Sequence, residues 1–257
     1  MDIRISKCRQ LLSNLIKRKF MVSKNETIQR MVGGSIFERM WFWVISKMQF
    51  ILLRAHKDKE DVRLLKKIRK QRRSLLTAYE AYTILATSRS VLGLQGNIAE
   101  IGVYAGASAK ILCELKGEKD LFLFDTFEGL PANSSEDGKV HTENRYACSL
   151  ESVQSYLQEY DNVHYFKGIF PDSATTEQAE ERLANEEFCF VHFDVDLYEG
   201  TKACLEYFYP RMVRGGIMLS HDYSMLRGVK QAFTEFVSEI PEGLVEFPST
   251  QCMIVKL

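Results

Sequence analysis

FDVDLYEGT (Phe193–Thr201), a helix-like run, GGIMLSHDYS (Gly215–Ser224) and RGVK (Arg227–Lys230) decide the fold of this chain. FCFVHF (Phe188–Phe193) and GIMLS (Gly216–Ser220) are short and apolar throughout or nearly so, the pattern of strands buried on both faces of a parallel sheet. Loops at the carboxyl ends of such neighbouring strands gather at one crevice. Asp194, Asp196, His221 and Asp222 are therefore expected there together. In extended chain, residues two apart project to one side, so Asp194 and Asp196 share a face. Three carboxylates and an imidazole can hold a divalent cation and still leave a base for proton abstraction. Helix capping would account for one Asp per turn. It leaves the D-x-D and H-D pairs together unexplained.

Upstream and downstream, helix and strand patterns alternate. Helices are expected at 74–89, 106–115, 150–159, 175–185, 201–212 and 228–239. Strands are expected at 97–104, 120–126, 163–168, 188–194, 215–222, 244–248 and 252–257. Strict alternation gives a Rossmann-like, mostly parallel α/β sheet with helices on both faces. The last two strands are too close in sequence for a crossover helix, so one of them should run antiparallel.

The chain has 257 residues, with 46% hydrophobic and 26% charged, and a net charge of zero. That neutrality hides a split. Residues 1–75 carry 20 Lys and Arg against 6 Asp and Glu, and the remainder carries 14 against 28. An N-terminal extension (1–73) with its own task is expected ahead of a catalytic domain (74–257). Within it, residues 3–20 form a basic amphipathic pattern suited to an anionic membrane surface. An apolar stretch with Trp41 and Trp43 reads as a lid or subunit contact, and the charge run 57–73 reads as an exposed helix or linker. The apolar candidate 36–55 is interrupted by Glu38, Arg39, Lys47 and Arg54, so no membrane span is expected. The six cysteines (8, 113, 148, 189, 204 and 252) contain no C-x-x-C and read as buried thiols in a reducing compartment. The expected setting is cytoplasmic, or peripheral on the inner face of a membrane. A homo-oligomer is expected, and nucleic acid is not expected as a partner.

IAEIGVYAGAS (Ile98–Ser108) is a strand entering a glycine-bearing turn and then a helix, whose free N–H groups suit an anionic or polar ligand. A second strand ends in Asp125, 23 residues after Gly102, placed to accept hydrogen bonds from both hydroxyls of a cofactor ribose. The candidate cofactor-binding residues are Glu100, Gly102, Val103, Tyr104, Gly106 and Ser108 in the first turn, and Asp125, Thr126 and Phe127 in the second. Glu100 inside an apolar strand needs a partner to be buried, and an amino group on the cofactor would serve. A nicotinamide nucleotide and S-adenosylmethionine both fit these turns. The acidic crevice favours the latter.

AEIGVYAGAS, LFLFDTFEGLP, KGIFPDS, the block from HFDVDLYEGT to HDYSMLRGVKQAF, and the ending STQCMIVKL resemble the macrocin O-methyltransferase family over roughly residues 75–257. The resemblance implies the seven-stranded sheet of class I methyltransferases, S-adenosylmethionine as cofactor, and Mg2+ or another divalent cation. It implies methyl transfer to a hydroxyl of a sugar or glycoside. By motif position, Asp194 and Asp222 would be metal ligands and Asp196 the general base. Antibiotic-modifying members have two adjacent aspartates where this chain has His221-Asp222. Imidazole suits manganese, iron or zinc better than magnesium. Ligation by His221 and a hydrogen bond from it to Asp222 or to substrate are both open. Metal-dependent methylation of a catechol-like phenol, a non-catalytic nucleotide-binding adaptor and a dehydrogenase are the rival readings.

Overall fold

The computed structural model describes residues 36–139 and 141–257. The basic pattern at 3–20 lies outside the described residues. Three helices come first: α1 (Ile36–His56), α2 (Lys59–Gln71) and α3 (Ala78–Val91). The sheet then builds through β1 (Asn97–Ile101), α4 (Ala107–Leu115), β2 (Leu121–Asp125), α5 (Leu150–Leu157) and β3 (Val163–Lys167). It continues through α6 (Glu177–Leu183), β4 (Phe188–Phe193), α7 (Tyr198–Phe208), β5 (Met212–Ser220), α8 (Arg227–Val237), β6 (Leu244–Glu246) and β7 (Cys252–Val255). The seven strands lie in the order β3-β2-β1-β4-β5-β7-β6. Pairing is parallel from β3 to β5, and β7 runs antiparallel to both its neighbours. This is the mostly parallel sheet with one reversed terminal strand that the alternation predicts.

The strand order reverses between β1 and β4, which is where a ligand crevice opens at the carboxyl ends. Strands on both sides of that point are closed to water. All six residues of β4 are buried, and so are Leu121 to Phe124 of β2. On one sheet face the rings of Phe122, Phe124, Phe166, Phe170, Phe188 and Phe208 contact one another edge-to-face or stacked. Burying each such side chain contributes roughly 1.5–3 kcal/mol, so this cluster holds the strand ends rigid beneath the site.

Two sequence readings change. The helix expected from Ser74 starts at Ala78, because Thr77 and Glu80 close a capping box: Glu80 N–H donates to Thr77 Oγ1, and Thr77 N–H donates to Glu80 Oε2 at 2.7 Å. The charge run 57–73 is not a solvated linker. Its helix α2 buries Val62, Leu65 and Ile68 at a three-residue spacing that the surrounding charges obscure. Buried Asp61 accepts both Arg89 guanidinium bonds, at 2.6 and 2.8 Å, and Arg72 donates to Ser152 at 2.9 Å. The basic stretch 59–72 is thus packed onto the sheet's helices. Helix α1 buries Phe50 and Leu53 but exposes Met40, Trp43, Val44, Met48, Ile51 and Leu52. No described helix is long and apolar enough to cross a membrane. Four of the five described cysteines are buried and all five are free thiols.

Candidate active site

A cavity of about 1050 Å³ opens at the carboxyl ends of the parallel strands. At one end lie the turns after β1 and β2. Asp125 Oδ2 accepts the N–H groups of Val103 and Tyr104 at 2.7 and 2.8 Å, and Oδ1 accepts that of Phe127 at 2.7 Å. Burial raises the Asp125 pKa, against the pull of those three N–H groups. A carboxylate offers about four lone-pair sites. The geometry therefore leaves room for about one further well-made bond, where the sequence reading assigned two ribose hydroxyls. The backbone is folded tightly to achieve this: Tyr104 and Phe127 have φ of 46° and 55°, and Gly102 has φ of 85°. Gly106, also left-handed, stands at the start of α4 with no side-chain cap, so the first N–H groups of that helix face the site side of the sheet.

Of the expected cofactor residues, Gly102, Val103, Tyr104, Ser108, Asp125 and Thr126 line the cavity. Glu100, Gly106 and Phe127 do not. Glu100 is wholly buried, and its partner is His192 Nδ1 on the adjacent strand at 2.9 Å, not a group in the crevice. Burial pushes its pKa up and the His192 contact opposes that. Glu100 thus sits behind the turn, where the protein supplies a partner for Oε1 while buried Oε2 has no hydrogen-bond partner among the described residues.

At the other end of the cavity are Asp194 and Asp196 after β4, and His221 and Asp222 after β5. Asp196 and Asp222 have φ of 61° and 58°, left-handed values uncommon for residues other than glycine and often found at functional sites. One ligand atom each from Asp194, His221 and Asp222 fall within 4.8 Å of one another, so the three can share a cation. His221 Nδ1 stands 3.1 Å from Asp222 Oδ2 and 3.4 Å from Asp194 Oδ1, yet is aligned for a hydrogen bond with neither. Two carboxylate oxygens and an imidazole nitrogen converging without satisfying one another fit a divalent cation. Burial would depress the His221 pKa, but the charges of Asp194, Asp222 and Glu80 raise it well above its usual value. The site favours positive charge at this point.

Asp196 and Asp222 divide their charge unequally. Burial, then the charges of Asp194 and Asp222, push the Asp196 pKa well above the carboxylate range. Burial also opposes ionisation of Asp222, but the charge of His221 outweighs it and holds that pKa low. Of the two, Asp196 is the carboxylate with the greater affinity for a proton, as a base requires.

Three contributors were not legible from motifs. Glu80, on α3, meets His221 Nε2 at 3.4 Å. Its only sequence signal is the Thr77–Glu80 capping pattern, which points to a helix start. Asp137 lies in the long 126–149 loop. Its Oδ1 accepts the Tyr198 N–H at 2.7 Å and its Oδ2 the Ser134 hydroxyl at 2.6 Å. Leu197 cannot cap α7 with a side chain, so the loop supplies the cap from 61 residues away. His141, from the same loop, lines the cavity. Neither of its ring nitrogens has a hydrogen-bond partner among the described residues. Phe42 and Arg73 bring the N-terminal helices to the cavity wall.

A seven-stranded sheet in this order, with a glycine turn after β1, an acid after β2 and an acidic cluster after β4 and β5, defines a class I methyltransferase fold. Residues 82–247 match the family described as macrocin-O-methyltransferase (TylF), and the chain belongs to that family. It is 30% identical over 149 residues to the 8-demethyl-8-(2,3-dimethoxy-alpha-L-rhamnosyl)-tetracenomycin-C 4'-O-methyltransferase of Streptomyces olivaceus, covering 52% of this chain and 55% of that one. It is 27% identical over 158 residues to the demethyldecarbamoylnovobiocin O-methyltransferase of Streptomyces niveus, covering 55% and 58%. The chain therefore spans a little over half the length of these curated relatives. The structure of the O-methyltransferase NovP superposes with a TM-score of 0.62 at 23% identity, over 71% of this chain and 81% of that one. At that identity the likeness concerns the fold.

Proposed function

We propose that the protein transfers a methyl group from S-adenosylmethionine to a hydroxyl of a sugar or glycoside, with a divalent cation held by Asp194, His221 and Asp222. The observation that carries this reading is the shared cavity: the cofactor turns after β1 and β2 and the acid–imidazole cluster after β4 and β5 open into one space. The relative from Streptomyces olivaceus, a methyltransferase named for a rhamnosyl-bearing tetracenomycin, supports the acceptor class.

When bound, the sulfonium supplies an electrophilic methyl, and the cation supplies Lewis acidity that brings a hydroxyl within reach of a carboxylate base. The chain's own part is positional and electrostatic. The Gly102 and Asp125 turns would seat the cofactor across the switch point. Asp196, with its raised proton affinity, would take the acceptor proton. The 126–149 loop, tied to α7 by Asp137, would wall the cavity from water. Holding donor and acceptor in line supplies the entropic part of the acceleration. The exposed apolar stripe of α1 supports the contact-making role expected of the N-terminal extension. Sedimentation with and without anionic vesicles separates self-association from lipid binding.

The test is mass-spectrometric detection of methyl transfer with S-adenosylmethionine, Mg2+ or Mn2+, and a panel of deoxysugar glycosides and catechols. Methylated glycosides are the expected product. Methylation of catechols alone would move the acceptor class, and cofactor binding without turnover on any acceptor would favour an adaptor.

A further inference from the structure

Resting on the proposed cation site, we infer that Glu80 is a positioning residue for His221, setting which ring nitrogen faces Asp194 and Asp222. Glu80 lies on α3, outside the strand-end turns that carry the acidic cluster, and only 3% of it is exposed. It is held from three directions. Its Oε2 accepts the backbone N–H and the hydroxyl of Thr77, both at 2.7 Å, and its Oε1 accepts the Thr250 hydroxyl at 2.8 Å. The same Oε2, with both Thr77 bonds in place, faces His221 Nε2 at 3.4 Å. Thr250 Oγ1 stands 3.5 Å from the same nitrogen, with its own proton committed to Glu80.

The environment of Nε2 is thus made of acceptors, and a proton on Nε2 is the arrangement it favours. On the neutral ring, the lone pair then belongs to Nδ1. Nδ1 is the nitrogen that approaches Asp222 and Asp194 at 3.1 and 3.4 Å without hydrogen-bonding to them. A carboxylate on the far nitrogen fixes ring orientation and tautomer, and raises the basicity of the ligating nitrogen. Capping α3 explains the Thr77 contacts of Glu80. It does not explain why the second oxygen is anchored by Thr250 or why the buried carboxylate is directed at an imidazole.

The test is a double-mutant cycle read by Mn2+ binding, with electron paramagnetic resonance following free Mn2+ in the full-length protein without substrate. Glu80→Gln should weaken Mn2+ binding roughly 10–100-fold, the usual cost of losing such a partner. In a His221→Asn background, which keeps an oxygen near the Nδ1 position and has nothing at Nε2, the same change should alter affinity by no more than about twofold, within ordinary additivity. Thr77→Ala, which removes the capping hydroxyl but keeps the Glu80 carboxylate with its Thr77 N–H and Thr250 anchors, should lower Tm and leave Mn2+ affinity in place. Equal losses from Glu80→Gln in both backgrounds, or from Thr77→Ala and Glu80→Gln alike, would overturn the assignment and leave the cation site standing. Absence of Mn2+ binding by the wild-type protein would overturn the site and this inference together.

Discussion

Gly102 and Asp194 cross backbone to backbone: a Cβ on Gly102 would lie 2.0 Å from the Asp194 carbonyl oxygen. One residue earlier, the Asp194 N–H donates to Ile101 O at 2.9 Å. The cofactor turn and the acidic turn are therefore one rigid piece. Gly102→Ala combines that overlap with a φ of 85° and is expected to cost on the order of 2–4 kcal/mol. It should weaken S-adenosylmethionine and Mn2+ binding together. A Tm like that of the wild type would contradict the crossing.

Asp196→Asn should reduce kcat by about 10²–10⁴ while calorimetry shows cofactor affinity retained, because the base is lost and the shape kept. Since the folded environment raises the Asp196 pKa, activity should fall as pH drops through that raised value, above the usual carboxylate range. Turnover within tenfold of the wild type would remove Asp196 from the mechanism.

Asp194→Ala and Asp222→Ala should each abolish metal-dependent activity, and a chelator should silence the wild-type enzyme. His221→Asp adds a hard oxygen ligand and should move metal preference toward Mg2+. Activity persisting after exhaustive chelation would show that the cluster does not hold a required cation, and an unchanged metal profile in His221→Asp would place His221 outside the ligand set.

Asp125 braces the first turn and lines the cavity where we propose the cofactor sits. Asp125→Ala removes three backbone hydrogen bonds as well as the ribose acceptor, so S-adenosylmethionine affinity should drop at least tenfold, given about 1.5–3 kcal/mol for a bond to a charged group. An unaltered dissociation constant by calorimetry would contradict this placement.

The Glu80 pKa is held at about 2: burial opposes ionisation, and the charge of His221 with the Thr77 bonds prevails. A pKa depressed from 4.5 contributes stability that is fully present above that value and lost as pH falls through about 2. That contribution is on the order of 3 kcal/mol. Urea unfolding should show the wild type well ahead of Glu80→Gln at pH 6, with the gap narrowing by pH 3. A constant gap would deny the carboxylate its charge in the folded state.

The acidic cluster was legible because apolar strand patterns run straight into D-x-D and H-D, and strand ends in a parallel sheet share a crevice. The reversed strand was legible from its short connection. What stayed hidden was everything set by three-dimensional juxtaposition. Glu100 reads as a ligand-facing acid until β4 brings His192 beside it. Glu80 reads as a helix cap until Thr250 and His221 meet it. Val62, Leu65 and Ile68 are diluted by nine Lys and Arg within residues 57–73, so their burial was masked by charge. Asp137 caps a helix it does not belong to, and no local pattern announces that.

The Glu80–Thr250 contact joins residues 170 apart in the chain. Closing so large a loop is entropically slow, and contacts of this separation form late. During synthesis, a nascent chain that has emerged only through α8 already carries Asp194, Asp196, His221 and Asp222. It has no Thr250 to anchor the acid behind the imidazole. The cation site should therefore reach its full affinity only once the β6–β7 hairpin docks, so that tight metal capture reports completion of the sheet.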